Sequence, residues 1–134
     1  MKLTAIETTV LRVPTVKPIA LDYPEHGLVV ATLRTDEGVT GLGYALAFGF
    51  AGAEAIQAYL ETRLKPLLLG EDPTFVGRLW ERMFRGDRGI RRVGIAGYAV
   101  SALDIGLWDL VGKVAGLPLA SEVATTDEVA LFRE

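Results

Sequence analysis

Cysteine is absent from this sequence of 134 residues, and histidine occurs once, as His26. Without cysteine the chain can form no disulfide, no thiolate zinc site and no cysteine nucleophile. A single imidazole argues against a metal site built from histidines, and it excludes any serine–histidine relay that needs a second imidazole. Thiol chemistry is therefore excluded, and imidazole chemistry is confined to one side chain.

An excess of positive charge is also missing. The chain has 14 basic and 17 acidic residues and a formal net charge of −3, so it carries no general nucleic-acid footprint. Residues 1–120 contain 13 basic and 13 acidic side chains, which leaves 4 acidic side chains and 1 basic side chain in residues 121–134. Because its composition differs from the rest, we expect residues 120–134 to form a divergent acidic tail.

Long apolar runs are lacking as well. No run approaches the roughly 20 residues needed to cross a bilayer, and the first residues, MKLT, do not begin the apolar region of a secretory signal. Hydrophobic residues make up 50% of the chain and charged residues 23%, which predicts one soluble globular domain with a core of its own. We expect a cytoplasmic location.

The first half of the chain predicts three strands, at residues 2–13, 27–35 and 39–44, because β-branched residues dominate between turn signals. A glycine turn joins the second and third strands into a hairpin. In the third strand, Gly41 and Gly43 leave one face without side chains. Another element must therefore pack closely there. A helix is the favoured interpretation, and a bound ligand or second domain is the alternative.

Two connections in this half stand out as candidate functional loops. Residues 14–26 form a long link between the first two strands, and long loops in compact domains are either functional or disordered. Residues 45–52 follow the third strand and place Phe48 and Phe50 on glycine-punctuated backbone. Such a segment can form a lid, but both phenylalanines could equally belong to the core.

The second half predicts helices. Residues 53–64 carry an i, i+4, i+8 apolar stripe, which we expect to end at Pro66. Asp72 and Pro73 are expected to start the next helix, as N-cap and first helical residue. That helix places several apolar side chains on one face, namely Phe75, Val76, Leu79, Trp80, Met83 and Phe84.

An arginine cluster occupies the other face of this helix and the loop after it. Six arginines there would suit a phosphate or an acidic partner. The favoured interpretation is a solvated surface partly compensated by Glu81 and Asp87, because no glycine-rich phosphate cradle accompanies the cluster. The arginines are Arg78, Arg82, Arg85, Arg88, Arg91 and Arg92.

Residues 94–114 predict a helix so apolar on all sides that it must be largely buried. Asp109 and Lys113 have the favourable i, i+4 spacing of an ion pair. Asp104 lies elsewhere on the circumference, and a buried carboxylate there needs partners. Because no catalytic companion is visible, we expect Asp104 to be a structural carboxylate that is hydrogen-bonded to neighbouring backbone. Gly116 is expected to cap the helix.

This helix makes the sequence recognisable. Residues 99–113 read AVSALDIGLWDLVGK and are followed by GLPL at 116–119. The segment resembles the signature that closes the N-terminal domain of the mandelate racemase/muconate-lactonizing branch of the enolase superfamily. Three further features match that domain in order: TDEGVTGLG at 35–43, LLGEDP at 68–73, and the helix containing Trp80. The resemblance extends over residues 1–119.

The resemblance implies an α+β fold, in which a three-stranded antiparallel meander is followed by a three-helix bundle. In this family the domain caps the mouth of a separate (β/α) barrel that holds the active site. Its two loops close over the substrate, and the matching positions in this sequence are Ile19, Leu21, Tyr23, His26, Phe48 and Phe50. The family abstracts a proton α to a carboxylate and holds the enediolate on Mg²⁺. The magnesium ligands and the bases lie on the barrel, so we expect no cofactor and no catalytic residue in this chain.

An enolase-type barrel needs about 200 or more further residues. We therefore expect the chain to be the non-catalytic capping domain of a racemase, cycloisomerase or acid-sugar dehydratase, truncated before the barrel and inactive alone. The alternative is a stand-alone oligomeric binding or assembly module derived from such a cap. An independent small enzyme is the weakest interpretation. Without a barrel supplied elsewhere, uncovered apolar loops and part of the Trp108 helix predict a homo-oligomer.

Overall fold

A computed structural model of the protein describes residues 1–17, 23–85, 90 and 93–119. The first half forms one antiparallel sheet in the order β1-β2-β3. As predicted, it is a meander. Its strands are β1 (Leu3–Pro14), β2 (Glu25–Thr35) and β3 (Thr40–Ala47).

The hairpin between β2 and β3 is closed by the predicted glycine turn. Gly38 has a φ of 80°, a left-handed conformation that glycine adopts without steric cost. The Thr35 amide donates to the Val39 carbonyl at 3.1 Å, and the Gly38 amide donates to the Thr35 carbonyl at 3.2 Å. This turn sets the register that pairs Gly27 with Ala47 at the opposite end of the hairpin.

Helices make up the second half of the described chain. A long helix comprises α1 (Ala51–Tyr59), a π-helical segment (Leu60–Leu64) and α2 (Lys65–Leu68); α3 (Val76–Arg85) and α4 (Ile95–Ala115) follow. With the sheet, they form the α+β fold expected of an enolase-type N-terminal domain. The core lies between the inner face of the sheet and these helices, and it includes Ile6, Leu33, Leu60, Leu103 and Leu107.

The bare face of β3 is covered by α4. A Cβ atom added to Gly43 would lie 1.8 Å from the Ala102 carbonyl oxygen, and one added to Gly41 would lie 2.1 Å from that of Gly106. The helix interpretation of these glycines is therefore correct. Strand and helix backbones approach so closely that no side chain fits between them.

The predicted helix end at Pro66 is wrong. The backbone at Leu60, Leu64 and Lys65 stays helical, and α2 continues through Pro66 to Leu68. Proline has no N–H to donate, and its ring would collide with the carbonyl four residues earlier in a regular α-helix. The π-helical segment immediately before it changes the hydrogen-bond pattern, so Pro66 occupies the first turn of α2.

The predicted start of α3 at Asp72 is also wrong. The Asp72 carboxylate accepts hydrogen bonds from the Thr74 amide at 3.0 Å and the Thr74 hydroxyl at 2.8 Å. Asp72 thus closes a local turn of the Asx type, and these two bonds lower the pKa of its carboxyl. The helix begins only at Val76.

The single apolar face predicted for α3 divides in two. Three of its members are buried, whereas Phe75 is 55% exposed and Trp80 is 37% exposed. Trp80 stacks on the half-buried Phe84, with ring centroids 4.4 Å apart. The buried members are Val76, Leu79 and Met83.

The arginines of α3 lie on a solvated surface, as the favoured interpretation stated. Arg78 and Arg82 both pair with Glu71, and Arg85 pairs with Glu81 at 3.1 Å. Glu71 is a partner that the sequence pattern did not reveal, because it lies in the preceding turn. The other residues of this cluster, Arg88, Arg91, Arg92 and Asp87, lie outside the described residues, as does the predicted tail at 120–134.

The most apolar helix, α4, is long enough to cross a membrane. Among the described residues it is the one helix with that length and composition: 21 residues and a mean hydropathy of 1.3. The expectation that no apolar run approaches this length is therefore wrong for α4. Half of its most apolar window is buried against the rest of the fold. The helix ends, as predicted, at Gly116, which has a φ of 68°.

Candidate functional site

The predicted loop residues meet at one end of the sheet. Strands β2 and β3 are antiparallel, and Gly27 pairs with Ala47 at this end of the sheet. The residue before Gly27 and the residue after Ala47 are therefore neighbours. His26 and Phe48 are therefore brought together, with Tyr23 and Phe50 nearby. The other two predicted capping residues, Ile19 and Leu21, lie outside the described residues.

His26 occupies the centre of this group, which we call the loop cluster (Tyr23, His26, Phe48 and Phe50). Its ring meets the Tyr23 ring at a centroid distance of 6.1 Å and the Phe48 ring at 5.6 Å, both edge to face. The Gly49 amide donates to His26 Nδ1 at 3.3 Å. In this arrangement Nδ1 is an acceptor, so the neutral ring carries its proton on Nε2. Contacts of this geometry fix one ring against the next.

Glycine makes the second loop compact enough to reach His26. Gly49 has a φ of 75°, and a Cβ atom there would lie 3.5 Å from the Tyr23 ring. Its carbonyl accepts a hydrogen bond from the Gly27 amide at 3.2 Å. The turn between β3 and α1 is therefore hydrogen-bonded to the start of β2 through both the amide and the carbonyl of Gly49.

The two phenylalanines have different environments, and neither belongs to the buried core. Phe48 is 64% exposed, whereas Phe50 is half-buried beneath the Arg12 guanidinium, which lies 3.4 Å from the ring centroid. Arg12 also forms an ion pair with Glu25. Such a cation over an aromatic face is stabilising. The core interpretation is thus wrong for both phenylalanines.

Sequence reasoning missed Arg12 and Glu25 as members of this site. Both are charged residues on strands, and nothing in their local pattern distinguishes them from solvated positions. The signal was the strand register: Arg12 pairs with Gly27, next to His26. Pairing β1 with β2 in this antiparallel register would have placed Arg12 at the loop cluster.

The outer face of the sheet continues the exposed apolar surface from Phe48. On this face the three strands expose large apolar side chains to solvent. Ion pairs lie at the border of this apolar surface. Glu7 and Arg34 form a bidentate pair at 2.9 and 3.0 Å, and hydrogen bonding to Arg34 lowers the pKa of the Glu7 carboxyl. We call this surface the outer sheet face; its exposed apolar residues are Leu11, Val13, Leu42, Tyr44 and Leu46.

The two aspartates of α4 behave differently. Asp109 accepts hydrogen bonds from Lys113 Nζ and from the Leu42 amide, both at 2.7 Å, and Lys113 also donates to the Thr40 carbonyl at 2.9 Å. The predicted ion pair is therefore confirmed, and it also clamps α4 to β3. Asp104 is half-buried and accepts no hydrogen bond within the described part of the chain. The prediction of a backbone-bonded Asp104 is wrong, because the backbone amides around it are used within the helix.

The described residues contain no group of three or more histidine, cysteine, aspartate or glutamate side chains able to hold a metal ion. The loop cluster instead contains aromatic edges and one imidazole, and the Arg12–Glu25 pair lies beside it. These groups can contact and orient a ligand or a second domain. They do not form a donor set for Mg²⁺, which prefers several carboxylate and water oxygens.

Comparison with known proteins defines the class. Residues 5–122 match the family described as "Mandelate racemase / muconate lactonizing enzyme, N-terminal domain". The chain belongs to this family.

Its curated relatives include enzymes that act on sugar acids. The chain is 40% identical over 97 residues to the arabinonate dehydratase of Saccharolobus solfataricus, an alignment that covers 71% of this chain and 26% of that protein. It is 34% identical over 96 residues to the L-talarate/galactarate dehydratase of Salmonella typhimurium, covering 72% and 24%. The chain thus spans about a quarter of the length of these relatives.

Solved structures show the same fold. A mandelate racemase/muconate lactonizing enzyme from Polaromonas sp. JS666 has a TM-score of 0.82 and 30% identity, covering 93% of this chain and 33% of that one. A racemase from Streptomyces coelicolor with bound magnesium has a TM-score of 0.78 and 27% identity, covering 84% and 32%. The chain corresponds to about a third of each solved protein.

Proposed function

We propose that this chain is the substrate-capping domain of a magnesium-dependent mandelate racemase/muconate-lactonizing-type enzyme, contributing no catalytic group of its own. The reaction would be that of a racemase, a cycloisomerase or an acid-sugar dehydratase, and the expected location is the cytoplasm. The observation that carries the proposal is the loop cluster: two loops far apart in sequence join through His26 at one end of the sheet.

The loop cluster has the properties that a cap needs. Phe48 and Tyr23 present aromatic surface to solvent, which becomes buried when the domain closes over a ligand in a barrel mouth. Arg12 holds Phe50 and Glu25, and the Gly49 amide holds His26. These contacts hold Phe50 and His26 against the rest of the fold, which would reduce the entropy lost on binding.

A sugar acid is the substrate class that we propose for the complete enzyme. The relatives named above are arabinonate and L-talarate/galactarate dehydratases, and sugar acids of the same kind would be the substrates of the complete enzyme. Mg²⁺ would be bound by residues on the barrel, where it stabilises negative charge developing on the substrate. The chain's own residues would close the site and exclude water.

The test is an assay of the purified chain with Mg²⁺ against a panel of sugar acids. We expect no turnover by the chain alone, because the described residues offer no metal site and the loop cluster offers no acid–base pair at a catalytic spacing. Turnover by the chain alone, abolished by a chelator, would contradict the proposal.

A second candidate function is favoured by the outer sheet face. Its exposed leucines, Val13 and Tyr44 lie on neighbouring paired strands, and exposed apolar patches mark interaction sites. We propose that a second copy of the chain covers it, together with Phe48, which would make the protein a homo-oligomeric assembly module. A barrel domain is the competing partner.

A further inference from the structure

A cavity lies on the helical side of the molecule, on the face of α4 that points away from the sheet. It has a volume of about 270 Å³ and is lined by residues of α1, α3 and the first half of α4. It reaches the surface beside Trp80 and the exposed Ser101. No residue of the loop cluster lines it. The cavity is therefore separate from the capping site.

Asp104 provides the only charged side chain among the described residues of the cavity wall. It is half-buried, and its carboxylate has no hydrogen bond or ion pair within the described part of the chain. Burial without such a partner raises the pKa of the Asp104 carboxyl. A carboxylate in this position is poorly solvated, and a cation entering the cavity would replace the favourable interactions with water that the carboxylate has lost.

Aromatic side chains form the wall opposite α4. The Trp80 and Phe84 rings are stacked at 4.4 Å with an interplanar angle of 18°, and Tyr59 contributes a third ring from α1. Aromatic faces attract cations, and tryptophan does so best. The small residues Ala96 and Gly97 on α4 leave space in front of these rings.

We propose that this cavity binds a small organic cation, an ammonium or guanidinium group on an apolar body, with Asp104 as the counter-ion and Trp80 and Phe84 as the aromatic wall. An anion would meet Asp104 unfavourably. A neutral apolar molecule would leave the carboxylate unpaired and desolvated. The volume lies just below the range of about 300–1,000 Å³ typical of drug-sized ligands, so a single ring with a short amine arm suits it.

Calorimetric titration of the full chain with benzylamine tests the proposal, with neutral benzyl alcohol as the matched probe. We expect benzylamine to bind at least about tenfold more tightly than benzyl alcohol, which corresponds to one charge-assisted contact. In Asp104→Asn this preference should disappear. Glu81→Gln is the control: it removes the same charge from α3, but Glu81 pairs with Arg85 outside the cavity, and the preference should remain.

A second variant keeps the test independent of Asp104. Trp80→Leu should also weaken benzylamine binding about tenfold, whereas Phe75→Leu, at an exposed position outside the cavity wall, should leave it unchanged. Thermal melting of each variant checks that it is folded. The proposal is overturned if wild-type chain does not discriminate between the two probes, or if discrimination persists in folded Asp104→Asn.

Discussion

At the scale of single residues, Asp104 has surroundings that are unfavourable for its negative charge. Its carboxylate is half-buried and unpartnered, and burial raises its pKa. Asp109, five positions later, has two partners at 2.7 Å. The two aspartates of this helix thus differ: Asp109 links strand to helix, whereas the desolvation of Asp104 predicts that its ionised form weakens the fold.

Replacing Asp104 by asparagine should stabilise the protein at neutral pH. The substitution keeps the shape and removes a poorly solvated charge. Because water still reaches part of the side chain and screens its charge, we expect the free energy of unfolding to rise by no more than about 1 kcal/mol. Urea denaturation of both proteins measures the change. Glu81→Gln, which removes an exposed surface pair, should stay within about 0.5 kcal/mol of wild type. An Asp104→Asn protein less stable than wild type would show that the carboxylate has a stabilising partner.

The difference in stability between wild type and Asp104→Asn should depend on pH. Because the folded-state pKa of Asp104 is raised above its ordinary value, the folded chain binds more protons than the unfolded chain between the two pKa values. The ionised Asp104 carboxylate therefore destabilises the protein most at pH values above its pKa in the folded chain. This destabilisation disappears as pH falls below the pKa of Asp104 in the unfolded chain. The stability advantage of Asp104→Asn should shrink as pH decreases through this window. An advantage that grows towards acid pH would contradict the assignment.

At the scale of elements, the sheet and the end of α4 at Gly116 were predictable, whereas the helix end at Pro66 and the helix start at Asp72 were not. The alternation of glycine with Leu42 and Tyr44 in β3 predicted a closely packed helix, and α4 occupies that position. The ends at Pro66 and Asp72 depended on non-local or competing hydrogen bonds: a π-helical segment in one case and an Asx turn in the other. Local propensity does not record either. The loop cluster followed from family resemblance, but Arg12 needed the strand register.

Gly43→Ala tests the contact between β3 and α4. The new methyl group would meet backbone atoms at 1.8 and 2.6 Å, and backbone cannot move aside without separating the two elements. We expect a loss of at least about 3 kcal/mol in the free energy of unfolding. Gly77→Ala, exposed within α3 with nothing in 4 Å of the new atom, should instead gain up to about 1 kcal/mol. Equal effects at both positions would refute the close packing.

Asp109 tests the polar clamp between the same elements. Asp109→Ala removes the acceptor of the Leu42 amide and the partner of Lys113, so we expect a loss of about 1–3 kcal/mol. Asp109→Asn keeps an acceptor oxygen and should lose less. Thermal unfolding compares the three proteins. If asparagine and alanine are equally harmful, the charge on Lys113, rather than the strand amide, dominates the clamp.

At the scale of the whole molecule, the outer sheet face and the loop cluster present exposed apolar side chains within the described part of the chain. Three leucines, Val13 and Tyr44 face outward on the sheet, and Phe48 extends this surface at its end. Burial of each such side chain gains about 1.5–3 kcal/mol, which is significant against the 5–15 kcal/mol of a typical domain. A partner surface is therefore expected, whether a second copy or a barrel.

Light scattering of the purified chain at tens of micromolar tests the second copy. We expect a dimer or larger oligomer, and Tyr44→Lys, at the centre of the outer sheet face, should dissociate it. Phe75→Lys is the matched control, because Phe75 is 55% exposed and Tyr44 53% exposed, but Phe75 lies beside α3. A monomeric wild-type chain would contradict self-association and leave the barrel as the partner.

The capping role itself is tested most directly by a chimera. Residues 1–119 would replace the corresponding domain of the arabinonate dehydratase, and kcat/KM for its sugar acid would be measured with Mg²⁺ for wild type, Phe48→Ala and Phe75→Ala. Phe48 is 64% exposed in the loop cluster, so its loss should lower kcat/KM about tenfold through weaker closure over the substrate. Phe75→Ala should have no effect. An inactive wild-type chimera, or an active one indifferent to Phe48→Ala, would contradict the capping role.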